Sequence, residues 1–186
     1  KPEVPLKDDL EALDLYLNLE RARSGEKFDY TVRVDPSIDQ DNVLVPPLVI
    51  QPFVENAIWH GMAGKEGKGY ITLSVHRNGA PGSRTGMLVM VIEDDGVGRN
   101  AKKVPDEVPD SAVPGAVPDE VPDSAVPGAT RRRASGTEMK KSSLATAITR
   151  ARLDLIGKQK GRPAGFNYVD LAQGTRVEVS LPLSEV

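Results

Sequence analysis

Residues 54–61 read VENAIWHG. Glu55, Asn56, Trp59 and His60 stand at i, i+1, i+4 and i+5, a spacing that puts acid, amide, indole and imidazole on one side of a helix. Val54, Ala57, Ile58 and, a turn earlier, Ile50 are left for the core. An amide oxygen suits Mg²⁺, a hard ion that keeps waters and phosphates in its shell, and an adjacent carboxylate can orient or deprotonate a nucleophile. Taken alone, the same residues also read as a solvated polar face with a capping histidine. Pro46 and Pro47 are expected to open this helix, with its regular part beginning near Pro52, and Gly61 to stop it.

Strand patterns lie on both sides. Phe28, Tyr30, Val32 and Val34 alternate with polar residues, the period of a strand with one buried face. Residues 70–76 and 87–92 are two further strands, joined across the glycine- and proline-rich stretch 78–86 as an antiparallel hairpin. The second runs into EDDGVG (93–98), where a carboxylate at a strand end precedes Gly96 and Gly98, residues that let a backbone approach a ligand. An acidic hairpin turn is the plainer reading of that segment by itself. The last two strands are 166–171 and 175–181, separated by a turn at Gln173 and Gly174.

Two helices complete the pattern. Residues 8–23 carry Leu10, Leu13, Tyr16 and Leu17 at helical spacing, with acids in the first turn. Residues 143–156 place Leu144, Ala147, Ile148, Ala151 and Leu155 on one face, and Gly157 is read as the stop. Strands cluster with strands, so the expected class is α+β: a two-layer sandwich of a mixed, largely antiparallel sheet with helices on one face.

Between the hairpin and the last helix, VPDEVPDSAVPGA occupies 104–116 and recurs unchanged at 117–129. Its prolines remove backbone donors, and Asp106, Glu107, Asp110, Asp119, Glu120 and Asp123 repel one another without a compensating base. It reads as a solvated insertion, too short for a solenoid. Outside it the net charge of -3 turns mildly basic, with no dense basic stripe interleaved with aromatics, so nucleic acid is not the expected partner. The chain has no cysteine, which excludes a disulfide framework, a thiolate nucleophile and cysteine-ligated zinc. It also has no apolar run of about 18 residues and no basic-then-apolar start. Its start at Lys1 reads as that of a fragment.

The order ENAxxHG, DxGxG, GTxVxxxLP resembles the ATP-binding domain of the GHKL superfamily. The blocks LKDDLEALDLYLNLERAR, VPPLVIQPFVENAIWHGM, VMVIEDDGVGRN, KKSSLATAITRARLDLI and YVDLAQGTRVEVSLPL narrow the resemblance to LytS-type sensor histidine kinases. It implies the Bergerat fold, with ATP and Mg²⁺ between a polar helix and a lid. It also implies one domain over 1–186, in which 1–24 leads in from a dimerisation region and 104–129 lies in the lid.

The resemblance further implies roles for single residues. Asn56 holds Mg²⁺, Glu55 is the catalytic carboxylate, and His60 lies near the phosphates. Asp94 reads adenine, Gly96 and Gly98 admit the nucleotide, and Gly174 with Thr175 completes the adenine side. Leu144 belongs to the phosphate loop, where SSLATA stands in place of the usual glycines, and added side chains there obstruct N–H groups that would approach phosphate. Trp59 stands where many members have lysine, so a phosphate-binding charge would come from Arg99, Lys102 or Lys103.

The implied activity is transfer of the γ-phosphoryl group of ATP to a histidine outside this chain, on helices of the same or a partner subunit, and from there to a response regulator. The parent is expected to be a homodimer anchored in the inner membrane, with this domain in the cytoplasm. His76 is expected to be a partly buried structural residue, and neither it nor His60 sits in an acceptor segment, so the chain alone is not expected to autophosphorylate. Two rival readings are a degenerate module of the same fold acting through protein contacts, which the glycine-poor loop favours, and a GHKL ATPase or serine kinase of another branch, which the YLNLERAR block disfavours.

Overall fold

The structure is a computed structural model. It describes residues 3–79, 86–99 and 135–186, with side chains of the last stretch from Leu144 onward. The repeat at 104–129 and most of the 78–86 turn lie outside the described residues.

The framework is a five-stranded sheet in the order β2-β4-β5-β7-β6. β2 (Phe28–Val34) runs parallel to β4 (Gly69–Asn78), while β4, β5 (Met87–Asp94), β7 (Thr175–Pro182) and β6 (Gly165–Asp170) pair antiparallel. Register turns the period-2 pattern of each strand into rows across the sheet. Leu73, Ile92, Val177 and Tyr168 form one inward row, and Val75, Met90, Val179 and Phe166 form the next. Among the described residues three helices cover this inward face, as expected from the clustering of strands.

α1 (Leu6–Arg23) buries Leu6, Leu10, Leu13 and Leu17, and its first-turn Asp8 and Asp9 and last-turn Arg21 and Arg23 suit the helix dipole. It starts two residues before the expected Asp8, because the fixed φ of Pro5 leads in and the Leu6 N–H is taken by the Val43 carbonyl at 2.8 Å. The same entry is held by a small antiparallel pair, β1 (Val4–Pro5) with β3 (Leu44–Val45).

The polar helix departs from expectation at both ends. Pro46 and Pro47 do not open it, because Leu48 adopts a left-handed φ of 59° that no helix can contain. The Leu48 N–H instead donates to the buried Asp9 carboxylate at 2.7 Å. α2 begins at Gln51, with Pro52 in its first turn, runs to Asn56 and continues as a π-helical segment, Ala57–Met62. Gly61 therefore lies inside the helix and does not stop it.

α3 (Ser135–Lys160) is longer than expected at both ends and is turned differently. Its inward residues are Thr149 and Leu153, 5% and 0% exposed, whereas Leu144, Ile148 and Leu155 are 61%, 59% and 52% exposed. The helix carries two apolar stripes, and the sheet accepts the one containing Leu153. The stop is Gly161, with φ 61°: Arg162 N–H reaches the Gly157 carbonyl at 3.0 Å and Gly161 N–H that of Lys158 at 3.4 Å, a Schellman ending. Gly157 is a glycine for another reason, since a Cβ there would sit 2.9 Å from the Arg162 carbonyl oxygen. Among the described residues no helix is long and apolar enough to cross a membrane.

Candidate functional site

On β5 the inward positions are Leu88, Met90, Ile92 and then Asp94, so the buried face of a central strand ends in a carboxyl group. Asp94 is 6% exposed. Burial pushes its pKa up to about 6, against backbone N–H groups of Gly96 and Thr175 that favour the charged form; Asp95 and Glu93 add repulsion. The Gly96 N–H donates to Oδ1 at 2.9 Å.

Gly61 packs against this carboxyl, and Gly96 and Gly174 let backbone come close beside it. A Cβ on Gly61 would lie 2.7 Å from Asp94 Oδ1, one on Gly96 would lie 2.3 Å from the Gly61 carbonyl oxygen, and one on Gly174 would lie 1.8 Å from the Asp94 carbonyl oxygen. Val97 N–H donates to Gly61 O at 3.1 Å, so the loop after β5 is laced to the π-helical turn. Gly98 has φ 78° and its Cβ position faces Gly174 O at 3.5 Å. The result is a carboxyl packed against backbone, at positions where a side chain would not fit.

Asp95 has a different job. Its Oδ1 accepts the Tyr70 N–H at 2.7 Å, and Lys65 Nζ lies 3.5 Å from Oδ2 while donating to the Asp95 carbonyl at 2.8 Å. It ties the start of β4 to the end of β5.

Asn56 lies five residues before Gly61 on the same continuous helix. Its Nδ2 is 3.4 Å from both Thr146 Oγ1 on α3 and the Tyr168 hydroxyl on β6. Tyr168 belongs to an edge-to-face trio with Phe53 and Phe166, with centroids 6.2 Å and 5.8 Å from its own. The Arg99 guanidinium rests 4.2 Å over the Tyr168 ring and that of Arg150 4.2 Å over Phe166.

Asp94, Gly96, Gly98, Gly174 and Thr175 are thus brought together, with Asp94 and Thr175 direct partners in the β5–β7 ladder. The helix residues are divided. Glu55 is bonded by Gln51 Nε2 at 2.9 Å and borders α1 through Tyr16, a phenol pushed up to about 12 chiefly by burial and next by Glu55. Trp59 hydrogen-bonds that same phenol. Asn56 faces α3 and β6 instead, His60 is exposed, and Leu144 stands on the outer face of α3.

Sequence reasoning missed the part played by Gly61, Thr146 and Tyr168. A glycine inside a helix costs roughly 1 kcal/mol and asks for a packing reason. For Tyr168 the signal was its inward parity with Phe166; for Thr146 there was none.

No protein-family model matches the chain. In sequence it is 38% identical over 73 residues to the sensor histidine kinase YpdA of Escherichia coli, covering 39% of this chain and 12% of that protein. It is 31% identical over 102 residues to the sensor protein LytS of Oceanobacillus iheyensis, covering 55% of this chain and 16% of that protein. Against the sensor histidine kinase/phosphatase LytS of Staphylococcus aureus the values are 33% over 101 residues, 54% and 16%. The matched stretch is a minor part of each relative's length. In structure, the histidine kinase AdeS of Acinetobacter baumannii superposes with TM-score 0.51 at 13% identity over 97% of this chain and 66% of that one. The catalytic domain of histidine kinase ThkA gives 0.50 at 12% identity over 97% and 94%.

Proposed function

We propose, for a chain similar in sequence to LytS-type sensor histidine kinases and with the GHKL fold of histidine kinase catalytic domains, that it binds Mg·ATP between α2 and α3 and presents the γ-phosphoryl group to a histidine outside it. The observation that carries this reading is Asp94, a buried carboxyl at the end of a core strand that packs against Gly61 beside the close backbone approaches at Gly96 and Gly174. A carboxylate accepts from the exocyclic amine of adenine, which guanine lacks at that position.

Asn56 would be the protein's oxygen ligand to Mg²⁺. The fit is chemical: an amide oxygen is a hard donor, and Mg²⁺ takes few protein ligands when phosphates supply the rest. The ion would neutralise charge on the phosphates. Gly96, Gly98, Gly174 and Thr175 would border the base and His60 would lie toward the phosphates, whereas Leu144, expected in the phosphate loop, lies within α3 on its outer face. In transfer the bond between the γ-phosphorus and the bridging oxygen breaks, ADP leaves, and an N–P bond forms on the acceptor imidazole. Its proton would go to Glu55. Positioning and electrostatics would supply most of the rate.

Residues 1–24 would lead in from the acceptor helices, and 104–129 would sit in the segment over the phosphates. The partners would be the acceptor helices of the same or a partner subunit and a response regulator, with a homodimeric, membrane-anchored parent and this domain in the cytoplasm.

Calorimetric titration of Mg·ATP tests the reading. Wild type should bind, and Asp94→Asn should weaken binding by about 1.5–3 kcal/mol while remaining folded. Equal affinity in both would remove Asp94 from the site. The second reading, a module acting through protein contacts, draws on the exposed Leu144, Ile148 and Leu155 of α3 and would be supported by a folded chain that binds no nucleotide.

A further inference from the structure

Phe166 and Tyr168 are successive inward residues of β6, the edge strand, with ring centroids 5.8 Å apart. Each holds a guanidinium at 4.2 Å, Arg99 from the loop after β5 and Arg150 from α3. Neither arginine forms an ion pair with a carboxylate among the described residues, and both are exposed. Two like charges on neighbouring rings repel, and an anion between them would relieve that repulsion. A guanidinium resting on a ring keeps its fork of N–H donors for such an anion, and that fork matches phosphate oxygens. The same shelf joins Asn56 through the Tyr168 hydroxyl, and Arg150 lies one helical turn beyond Thr146, the other partner of the Asn56 amide.

We propose that the Phe166–Tyr168 shelf with Arg99 and Arg150 is the polyphosphate subsite of this domain, with the two arginines contacting phosphate oxygens and Tyr168 a positioning residue for Arg99 and Asn56. This rests on the nucleotide reading above and assigns to it the charge that Trp59 does not supply.

The test is calorimetry on the whole chain with three probes, Mg·ATP, adenosine and inorganic tripolyphosphate, at low and raised salt. Arg99→Ala and Arg150→Ala should each weaken Mg·ATP and tripolyphosphate about tenfold, leave adenosine unchanged and flatten the salt dependence. Tyr168→Phe, which keeps the ring, should retain tripolyphosphate affinity and lose part of the Mg²⁺ dependence of ATP binding. Arg33→Ala removes an exposed charge from β2, away from the shelf, and should change nothing. The proposal is overturned if both arginine variants bind Mg·ATP like wild type, or if adenosine weakens in step with ATP. A wild type that binds tripolyphosphate through these arginines but shows no preference for ATP keeps the shelf and sinks the nucleotide reading. Nucleotide binding with both arginines dispensable does the reverse, and a chain that binds none of the three probes overturns both.

Discussion

Gly61 and Asp94, 33 positions apart in the chain, are packed so closely that a methyl group on Gly61 would sit 2.7 Å from Asp94 Oδ1 and 3.0 Å from its Cγ. The helix bearing the polar residues and the strand ending in the carboxyl are registered against each other at this contact. The π-helical turn, Ala57–Met62, is the part of the helix that makes it.

Gly61→Ala should therefore push the Asp94 carboxyl out of place. The expected cost is about 1–3 kcal/mol of stability, as for overpacking, together with loss of adenine-nucleotide binding. Gly174→Ala should be worse, because its φ of 86° disfavours any side chain and the clash is with backbone. Urea denaturation ranks the two, and a Gly61→Ala chain as stable as wild type would show that the contact is soft.

Asp94 should also make stability depend on pH. Its folded pKa of about 6 lies above the ordinary 3.8, so between those values the folded chain holds a proton that the unfolded chain has lost. Stability should fall as pH rises through that window and stay lower above it. Asp94→Asn should then be more stable than wild type above about pH 6, by on the order of 2 kcal/mol, with the gap closing near pH 4. A variant that gains stability while losing ATP affinity is the expected signature of a functional buried charge. A pH-independent difference would exclude this account.

Asp9 and Leu48 give a prediction remote from the site. Asp9→Ala strands the Leu48 N–H and should cost about 1–3 kcal/mol. Leu48 is exposed with a left-handed backbone, so Leu48→Asn should stabilise by about 0.5–1 kcal/mol. Thermal melts of the two variants should move in opposite directions.

Asn56 and Glu55 should separate by assay. Asn56→Ala should reduce the Mg²⁺ dependence of ATP binding more than the affinity for metal-free ATP. Glu55→Gln should leave binding largely intact and slow transfer in a chain that includes acceptor helices. Equal losses with and without Mg²⁺ would count against Asn56 as a ligand.

Deleting 104–129 should hardly move the melting temperature, since doubling a flexible loop costs only about 0.6 kcal/mol. It also removes Asp106, Glu107, Asp110 and their copies, so ATP binding should tighten most at low salt, where screening reaches about 30 Å at 0.01 M. Unfolding on deletion would mean that the repeat packs into the core.

Much of this was legible locally. Alternation in 28–34, 70–76, 87–92 and 175–181 places those strands within a few residues, because a half-buried strand writes its two faces into adjacent positions. The parity that runs Leu88, Met90, Ile92, Asp94 already turns the carboxyl inward. Order along the chain placed Asp94, Gly96, Gly98, Gly174 and Thr175 in one site by resemblance, and the β5–β7 ladder makes Asp94 and Thr175 neighbours. What local pattern could not do was choose between equivalent faces or give a glycine its reason. Leu144, Ile148 and Leu155 form as good a helical stripe as the one that contains Leu153, and only the sheet beneath decides which is buried. Gly61 reads as a stop until Asp94 is seen against it, and the partner of Asn56, Tyr168, lies 112 positions away. Periodicity is a property of one element, set by backbone geometry, whereas a close approach or a shared hydrogen bond belongs to two elements and exists only once they are packed together.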